Sequence, residues 1–133
     1  MWYNITWGVF MNNNESIEMY LETIHVLSQK QEIVKSIDIA NELNYARASV
    51  SRAIKLMLEK EYITLDSKKN ITLTSKGLEI ANRIYDRHIT LTNLLESLGV
   101  RKTTAEDDAC KIEHVISDET MEAIKKHYTK YSK

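Results

Sequence analysis

The sequence predicts a mainly α-helical chain: one winged helix-turn-helix unit followed by a second helical unit. Three observations carry that expectation. Apolar residues recur at helical spacing from Ser16 onward, a single short segment switches to a period of two, and the order of elements around that switch is helix, short helix, turn, helix, hairpin. That order is the plan of a winged helix-turn-helix.

Each element has its own local reason. Ser16 is placed to cap a first helix on which Ile17, Tyr20, Leu21, Ile24 and Leu27 share a face. A break at Gln29–Glu32 leads to Ser36, read as the cap of a short second helix carrying Ile37, Ile39, Ala40 and Leu43. Asn44-Tyr45-Ala46 is a turn. The third helix runs from about Arg47 to Lys60 and is expected to bury Val50, Ala53, Ile54, Met57 and Leu58. Tyr62–Leu65 and Ile71–Thr74 then alternate around polar Asp66–Asn70, which makes a hairpin. A long helix follows from Ser75 to about Leu98, with Gly99 as its C-cap and Leu78, Ile80, Ala81, Ile84, Tyr85, Leu91, Leu94 and Leu95 among its apolar positions. A charged stretch from Val100 to Glu106 precedes a helix containing Ala109, Ile112 and Val115. The last helix starts near Ser117, where Asp118 and Glu119 suit a helix N-terminus but Thr120 makes no capping box. The basic end, His127 to Lys133, is expected to fray. The expected division is an N-terminal extension over 1–15, a DNA-binding domain over 16–76 and a helical domain over 77–133. Met11 reads as a natural start with residues 1–10 as an upstream extension, or those residues form a short apolar arm; both readings stay open.

Composition narrows the function classes. The chain has 133 residues, a formal net charge of −1, three glycines, no proline and one cysteine. A disulfide scaffold is excluded and Gly-rich phosphate loops have little room. No 18-residue apolar run exists, so a membrane span is not expected, and the opening residues lack the pattern of a secretory signal. A cytoplasmic, reducing location follows from this reading. Over residues 33–76 eight basic residues face five acidic ones, a net charge of +3, which leaves −4 for the remainder. Positive charge is thus concentrated where phosphates would lie.

On the third helix Arg47, Ser49, Ser51, Arg52 and Lys55 form the polar face. Together with Ser36, Ala46, Ala48 and the wing lysines Lys68 and Lys69 they make the candidate DNA surface. Serine and arginine meet phosphates, and arginine also grips guanine through two parallel hydrogen bonds. The apolar surface of the later helices points to a homodimer, as a palindromic operator in double-stranded DNA requires.

The chemistry-bearing cluster is Cys110-Lys111-Ile112-Glu113-His114. Cys110, Glu113 and His114 fall at i, i+3 and i+4, so one helix face is expected to present thiolate, carboxylate and imidazole, with Glu106 one turn earlier. These are ligand types for a divalent transition ion. The plainer alternative is a polar helix face. No H-E-x-x-H or nucleophile motif is present, so neither an enzyme nor a small-molecule substrate is expected.

From about Glu15 to Tyr128 the chain resembles the diphtheria-toxin-repressor and manganese-transport-regulator family of metal-dependent repressors. Five segments carry the resemblance: Glu18–Leu21; Ile39-Ala40 with Ser49–Ser51; Leu73–Gly77; Asp86-Arg87-His88; and Ala109–Asp118. The resemblance implies a metal site of Met19, Cys110, Glu113 and His114, the ligand set of the iron-responsive branch. The manganese branch has aspartate and glutamate in place of the methionine and cysteine. Softness therefore favours Fe(II) over Mn(II), with Co(II), Ni(II) or Zn(II) as mimics. Glu22 instead matches a manganese-branch ligand. His88 matches a histidine of the family's second metal position, where Thr92 replaces a glutamate and Glu106 replaces a histidine. His88, Glu22, Glu106 and a shared Glu113 are the candidates for that second site. Longer members continue beyond the match into an SH3-like third domain. The implied mechanism is a metal that joins the two domains and sets the spacing of the recognition helices in a dimer, controlling metal-uptake genes by repression. The alternative is a winged-helix regulator that responds to an organic ligand or to Cys110 oxidation.

Overall fold

The computed structural model describes residues 13–131, so the expectations for residues 1–12 lie outside the described residues. The elements, in order, are α1 (Asn13–Lys30), α2 (Ser36–Leu43), α3 (Arg47–Glu59), β1 (Ile63–Leu65), β2 (Ile71–Leu73), α4 (Ser75–Ser97), α5 (Lys102–Ile112) and α6 (Asp118–Tyr131). The chain divides into two compact units, Met1–Asn82 and Arg83–Lys133, and the division falls inside α4.

The first unit is built on α1, whose Ile17, Met19, Tyr20, Leu21, Ile24 and Leu27 are buried with Ile39, Ala40 and Leu43 of α2 and Val50, Ala53 and Met57 of α3. Ile63 and Ile71 bring the hairpin into the same core. α1 begins at Asn13, so Ser16 lies within its first turn and not at the cap. Lys35, not Ser36, is the cap residue of α2, and its backbone N–H donates to Asp38 Oδ2 at 2.8 Å. Asn44 ends α2 in the left-handed region at φ 57, which an asparagine tolerates better than most residues, and the Tyr45 N–H reaches back to Ala40 O at 3.1 Å. Leu58 was expected in the core but is exposed, because Leu56 takes a half-buried place against the core and α3 stops at Glu59.

β1 and β2 pair antiparallel in the register Ile63↔Leu73, Thr64↔Thr72, Leu65↔Ile71. Val34 O accepts the Ile71 N–H at 2.8 Å, so the α1–α2 connection braces the hairpin. Asp66 organises the wing tip: its Oδ1 accepts the Lys68 and Asn70 N–H groups, both at 2.9 Å, and its Oδ2 accepts Asn70 Nδ2 at 2.9 Å. Thr74 caps α4, accepting the Gly77 N–H at 3.1 Å while its hydroxyl donates to Glu61 O at 2.6 Å. Gly77 is required there, since a Cβ would stand 2.1 Å from the Tyr62 carbonyl oxygen.

In the second unit Leu91, Ala109 and Met121 form the buried centre, with Ile112, Ile116 and Ile124 packed against it. α4 ends as the glycine predicts: Gly99 has φ 100, its N–H donates to Glu96 O at 3.0 Å and the Val100 N–H to Leu95 O at 3.1 Å. α5 starts at Lys102, so Glu106 belongs to the helix and not to a preceding charged stretch. Val115 was expected on that helix, but it lies beyond its end and is exposed. Ser117 proves an effective cap for α6. Its Oγ accepts the Thr120 N–H at 3.1 Å and donates to Thr120 Oγ1 at 3.0 Å, a side-chain cap and not a capping box. Of the segment expected to fray, residues 127–131 are helical, and residues 132 and 133 lie outside the described residues.

Candidate metal centre and nucleic-acid interface

The basic surface of the first unit is set by α3. Arg47, Ala48, Ser51, Arg52 and Lys55 are exposed on it and Ser49 is half-buried, with the Arg52 guanidinium donating to Ser49 Oγ at 3.3 Å. Ala46 is extended and gives α3 no side-chain cap. Ser36, Ile37, Arg47, Val50 and Ser51 line a cleft of about 300 Å³ between α2 and α3, so Ser36 and two polar residues of α3 share one depression. Lys68 and Lys69 are exposed at the wing tip, where Lys69 adopts φ 63 and Lys35 Nζ donates to Lys68 O at 3.2 Å. Hydrogen bonds to Asp66, first from the Asn70 backbone and then from the Asn70 side chain and the Lys68 backbone, hold its carboxyl below the usual carboxylate range against a smaller desolvation effect.

Met19 and Glu22 both lie on α1 in this first unit. Met19 is buried, and its Sδ accepts the Tyr45 hydroxyl at 3.3 Å; Glu22 is half-buried. Tyr45, in the turn between α2 and α3, also meets Tyr20 edge-to-face at 5.9 Å. Burial pushes the Tyr45 hydroxyl above its ordinary pKa and pushes Tyr20 up to about 12, with Tyr45 adding to the shift of Tyr20 and Arg52 opposing it.

In the second unit the donors converge on one carboxylate. Glu113 is 0% exposed. His88 Nδ1 stands 3.0 Å from its Oε2, His114 Nε2 stands 3.3 Å from its Oε1, and Cys110 Sγ is 3.6 Å from His88 Nδ1. One donor atom each from His88, Cys110 and Glu113 lies within 4.8 Å of the others. Donors about 2.0–2.3 Å from a common ion stand roughly 3–4 Å apart, and the two separations that His88 Nδ1 makes, 3.0 Å to Glu113 and 3.6 Å to Cys110, fall in that range. A fully buried carboxylate is costly unless compensated, and a divalent ion held here would add positive charge to what the neighbouring imidazoles provide.

The route to this convergence differs from the one expected. α5 ends at Ile112, and Glu113 and His114 lie in the turn that follows. Glu113 keeps helical angles, φ −59 and ψ −25, and its N–H still donates to Ala109 O at 2.9 Å, so its side chain remains one turn from Cys110. Within this unit Glu106 is half-buried on α5 and stands outside the donor group. Thr92, one turn beyond His88 on α4, is buried, offers no carboxylate, and has a hydroxyl without a hydrogen-bond partner among the described residues.

Sequence reasoning gave Arg87 no role beyond its place in a motif. Its side chain is only 10% exposed. Nη1 donates to Glu113 O and to Ile116 O, both at 3.1 Å, and Nη2 pairs with Asp118 Oδ1. The signal was available in the spacing: Ile84, Arg87 and Leu91 lie at i, i+3 and i+7, one buried stripe of α4.

Two family descriptions match the chain. Residues 14–71 match "Iron dependent repressor, N-terminal DNA binding domain" and residues 74–132 match "Iron dependent repressor, metal binding and dimerisation domain". An uncharacterized HTH-type transcriptional regulator of Methanocaldococcus jannaschii is 37% identical over 114 residues, covering 84% of this chain and 91% of that protein. Among solved structures, the manganese regulator SloR superposes with a TM-score of 0.74 at 27% identity, over 90% of this chain and 55% of its own. A manganese-dependent transcriptional repressor in complex with manganese gives 0.76 at 26% identity, over 85% of this chain and 52% of its own. The chain thus spans about half the length of these two solved chains.

Proposed function

The chain belongs to the iron-dependent repressor family, and on that premise we propose that it is a metal-dependent transcriptional repressor rather than an enzyme. The observation that carries this reading is the buried Glu113 carboxylate, which has His88, His114 and Cys110 gathered around it. His88, Cys110, Glu113 and His114 are the proposed ligands of the second unit. The family resemblance adds Met19 and Glu22 from α1, and each is suited to its role by donor chemistry: a thioether for a soft ion, a carboxylate for a hard one. Glu106 is left out of the set, because it stands apart from the donors that converge.

His88, Cys110, Glu113 and His114 would hold a divalent ion, which would supply charge to compensate the buried carboxylate. The protein's own residues do the rest. Cys110 and Glu113 present thiolate and carboxylate from the end of α5, and His88 presents Nδ1 from α4. Arg47, Ser49, Ser51, Arg52 and Lys55 of α3 approach DNA together with Ser36, Ala46, Ala48, Lys68 and Lys69. Exposed Tyr85 and Ile89, one turn apart on α4, support an apolar face through which two copies pair on a palindromic operator. No helix among the described residues is long and apolar enough to cross a membrane, and a regulator of this kind works in the cytoplasm with the DNA it reads.

Bound metal would control repression by shifting the population of the DNA-competent form, with a coupling of about 1–3 kcal/mol, or roughly 5- to 150-fold in operator affinity. Thiolate and thioether ligands favour Fe(II) over Mn(II). The test is anaerobic fluorescence anisotropy on DNA from upstream of the protein's own gene and of neighbouring metal-uptake genes. Chelator is compared with Fe(II) and Mn(II) at equal free concentration. Tighter binding with Fe(II) is expected. A stronger response to Mn(II) would overturn the softness argument, and equal binding with chelator would overturn metal sensing itself.

A further inference from the structure

We propose that Arg87 is a positioning residue for the metal donors: it fixes the turn that carries Glu113 and His114, and thereby the approach of that pair to His88 and Cys110. The inference rests on the metal reading above and adds to it a residue that donates nothing to the ion.

The geometry is specific. Arg87 and His88 are consecutive residues of α4, and they hold Glu113 at both ends. His88 meets its carboxylate at 3.0 Å, while Arg87 donates to its main-chain carbonyl at 3.1 Å. The same guanidinium donates to Ile116 O at 3.1 Å and pairs with Asp118, so its three acceptors bracket the whole segment from the end of α5 to the start of α6. Carbonyls at and beyond a helix end lack intrahelical partners, and here a buried side chain satisfies two of them. A guanidinium suits this task because its planar fork directs several N–H groups at once, whereas an ammonium is a point donor. Burial also makes the arrangement stringent, since a desolvated cation without its partners is costly. These contacts tie the turn to α4, and two of the proposed ligands ride on it. Residues that orient metal ligands from outside the ligand shell commonly change affinity roughly 10- to 100-fold when altered.

The test uses the full chain and Co(II), whose ligand-field and thiolate charge-transfer bands report the donor geometry directly. Four variants are titrated anaerobically beside the parent: Arg87→Met, Arg87→Lys, Asp118→Ala and Lys125→Ala. Lys125 forms an ion pair with Asp86 at 2.6 Å that also joins α4 to α6 but touches neither the turn nor the donors. Arg87→Met and Arg87→Lys should each bind Co(II) roughly 10- to 100-fold more weakly with altered bands, lysine failing to rescue. Asp118→Ala, which leaves Arg87 in place and removes a carboxylate that is 84% exposed, should weaken binding several-fold while folding normally. Lys125→Ala should match the parent. The proposal is overturned if Asp118→Ala and a folded Arg87 variant keep the parent's affinity and spectrum, or if Lys125→Ala weakens binding as much as they do. A folded parent that binds no Co(II) would instead overturn the metal reading on which the proposal rests.

Discussion

Gly77 and Asp66 show how single residues without an apolar side chain shape the DNA-binding unit. At Gly77 the Tyr62 carbonyl occupies the space a Cβ would need, at 2.1 Å, and both partners are backbone, so no side chain can swing aside. Gly77→Ala is expected to cost about 1–3 kcal/mol by forcing the junction of the hairpin and α4 apart. Urea denaturation measures this directly, and an unchanged midpoint would contradict the close approach. Asp66 acts through charge. Its carboxyl lies below the usual range because the ionised form accepts hydrogen bonds from Asn70 and Lys68, so its contribution is present above the ordinary carboxylate pKa and lost as pH falls through the lowered one. Asp66→Ala should remove amide-exchange protection at Lys68 and Asn70 at neutral pH, and strongly acidic pH should do the same to the parent protein. Protection that survives in both cases would show that the β1–β2 register alone sets the wing.

Among the elements, legibility in the sequence followed the strength of the local signal. Helical spacing from Ile17 to Leu27, Asn44 before α3 and Gly99 after α4 each have one physical solution, and the structure adopts it. Element edges were less readable, because capping is satisfied by any suitably placed donor or acceptor. Lys35 with Asp38 displaced Ser36 at the start of α2, and Ser117 with Thr120 served α6 although the pair lacks a glutamate. The donor cluster was visible as a spacing in the sequence, yet the helix invoked to explain it ends at Ile112. The spacing still brings Cys110 and Glu113 together because one further residue keeps helical angles. The burial of Arg87 was legible as the stripe it shares with Ile84 and Leu91, but its role was not, since only the fold shows which carbonyls require it. The wing yields a prediction at this scale. If Lys68 and Lys69 meet phosphates and not bases, Lys68→Ala/Lys69→Ala should weaken binding about equally on different DNA sequences. It should also reduce the magnitude of the slope of log affinity against log salt by about two. A change confined to one sequence would assign them to base reading.

Across the whole molecule, the charge asymmetry and the donor cluster belong to different stretches of chain. Net charge of +3 lies within residues 33–76, and three of the four donors that converge on Glu113 or include it lie within residues 110–114. An ion bound far along the chain can change DNA affinity only by binding the DNA-competent form better than the others, since a ligand with equal affinity for both forms shifts nothing. Metal affinity and DNA affinity are therefore reciprocally linked: whatever factor the metal adds to operator binding, operator DNA must add to metal binding. Removing the ion with chelator should lower operator affinity by roughly 5- to 150-fold, and adding operator should tighten Co(II) binding by the same factor. If the Cys110 thiolate holds the ion more strongly in the DNA-competent form than in the other, Cys110→Ser should reduce both factors together toward one. Anisotropy gives the first factor and a Co(II) spectroscopic titration the second. If the serine variant lost its metal affinity yet metal-free and metal-loaded protein still differed on DNA by the full parental factor, the signal would enter elsewhere than at Cys110. Factors that agree in the parent and shrink in step in the variant would tie the buried carboxylate and its neighbours to the reading of DNA.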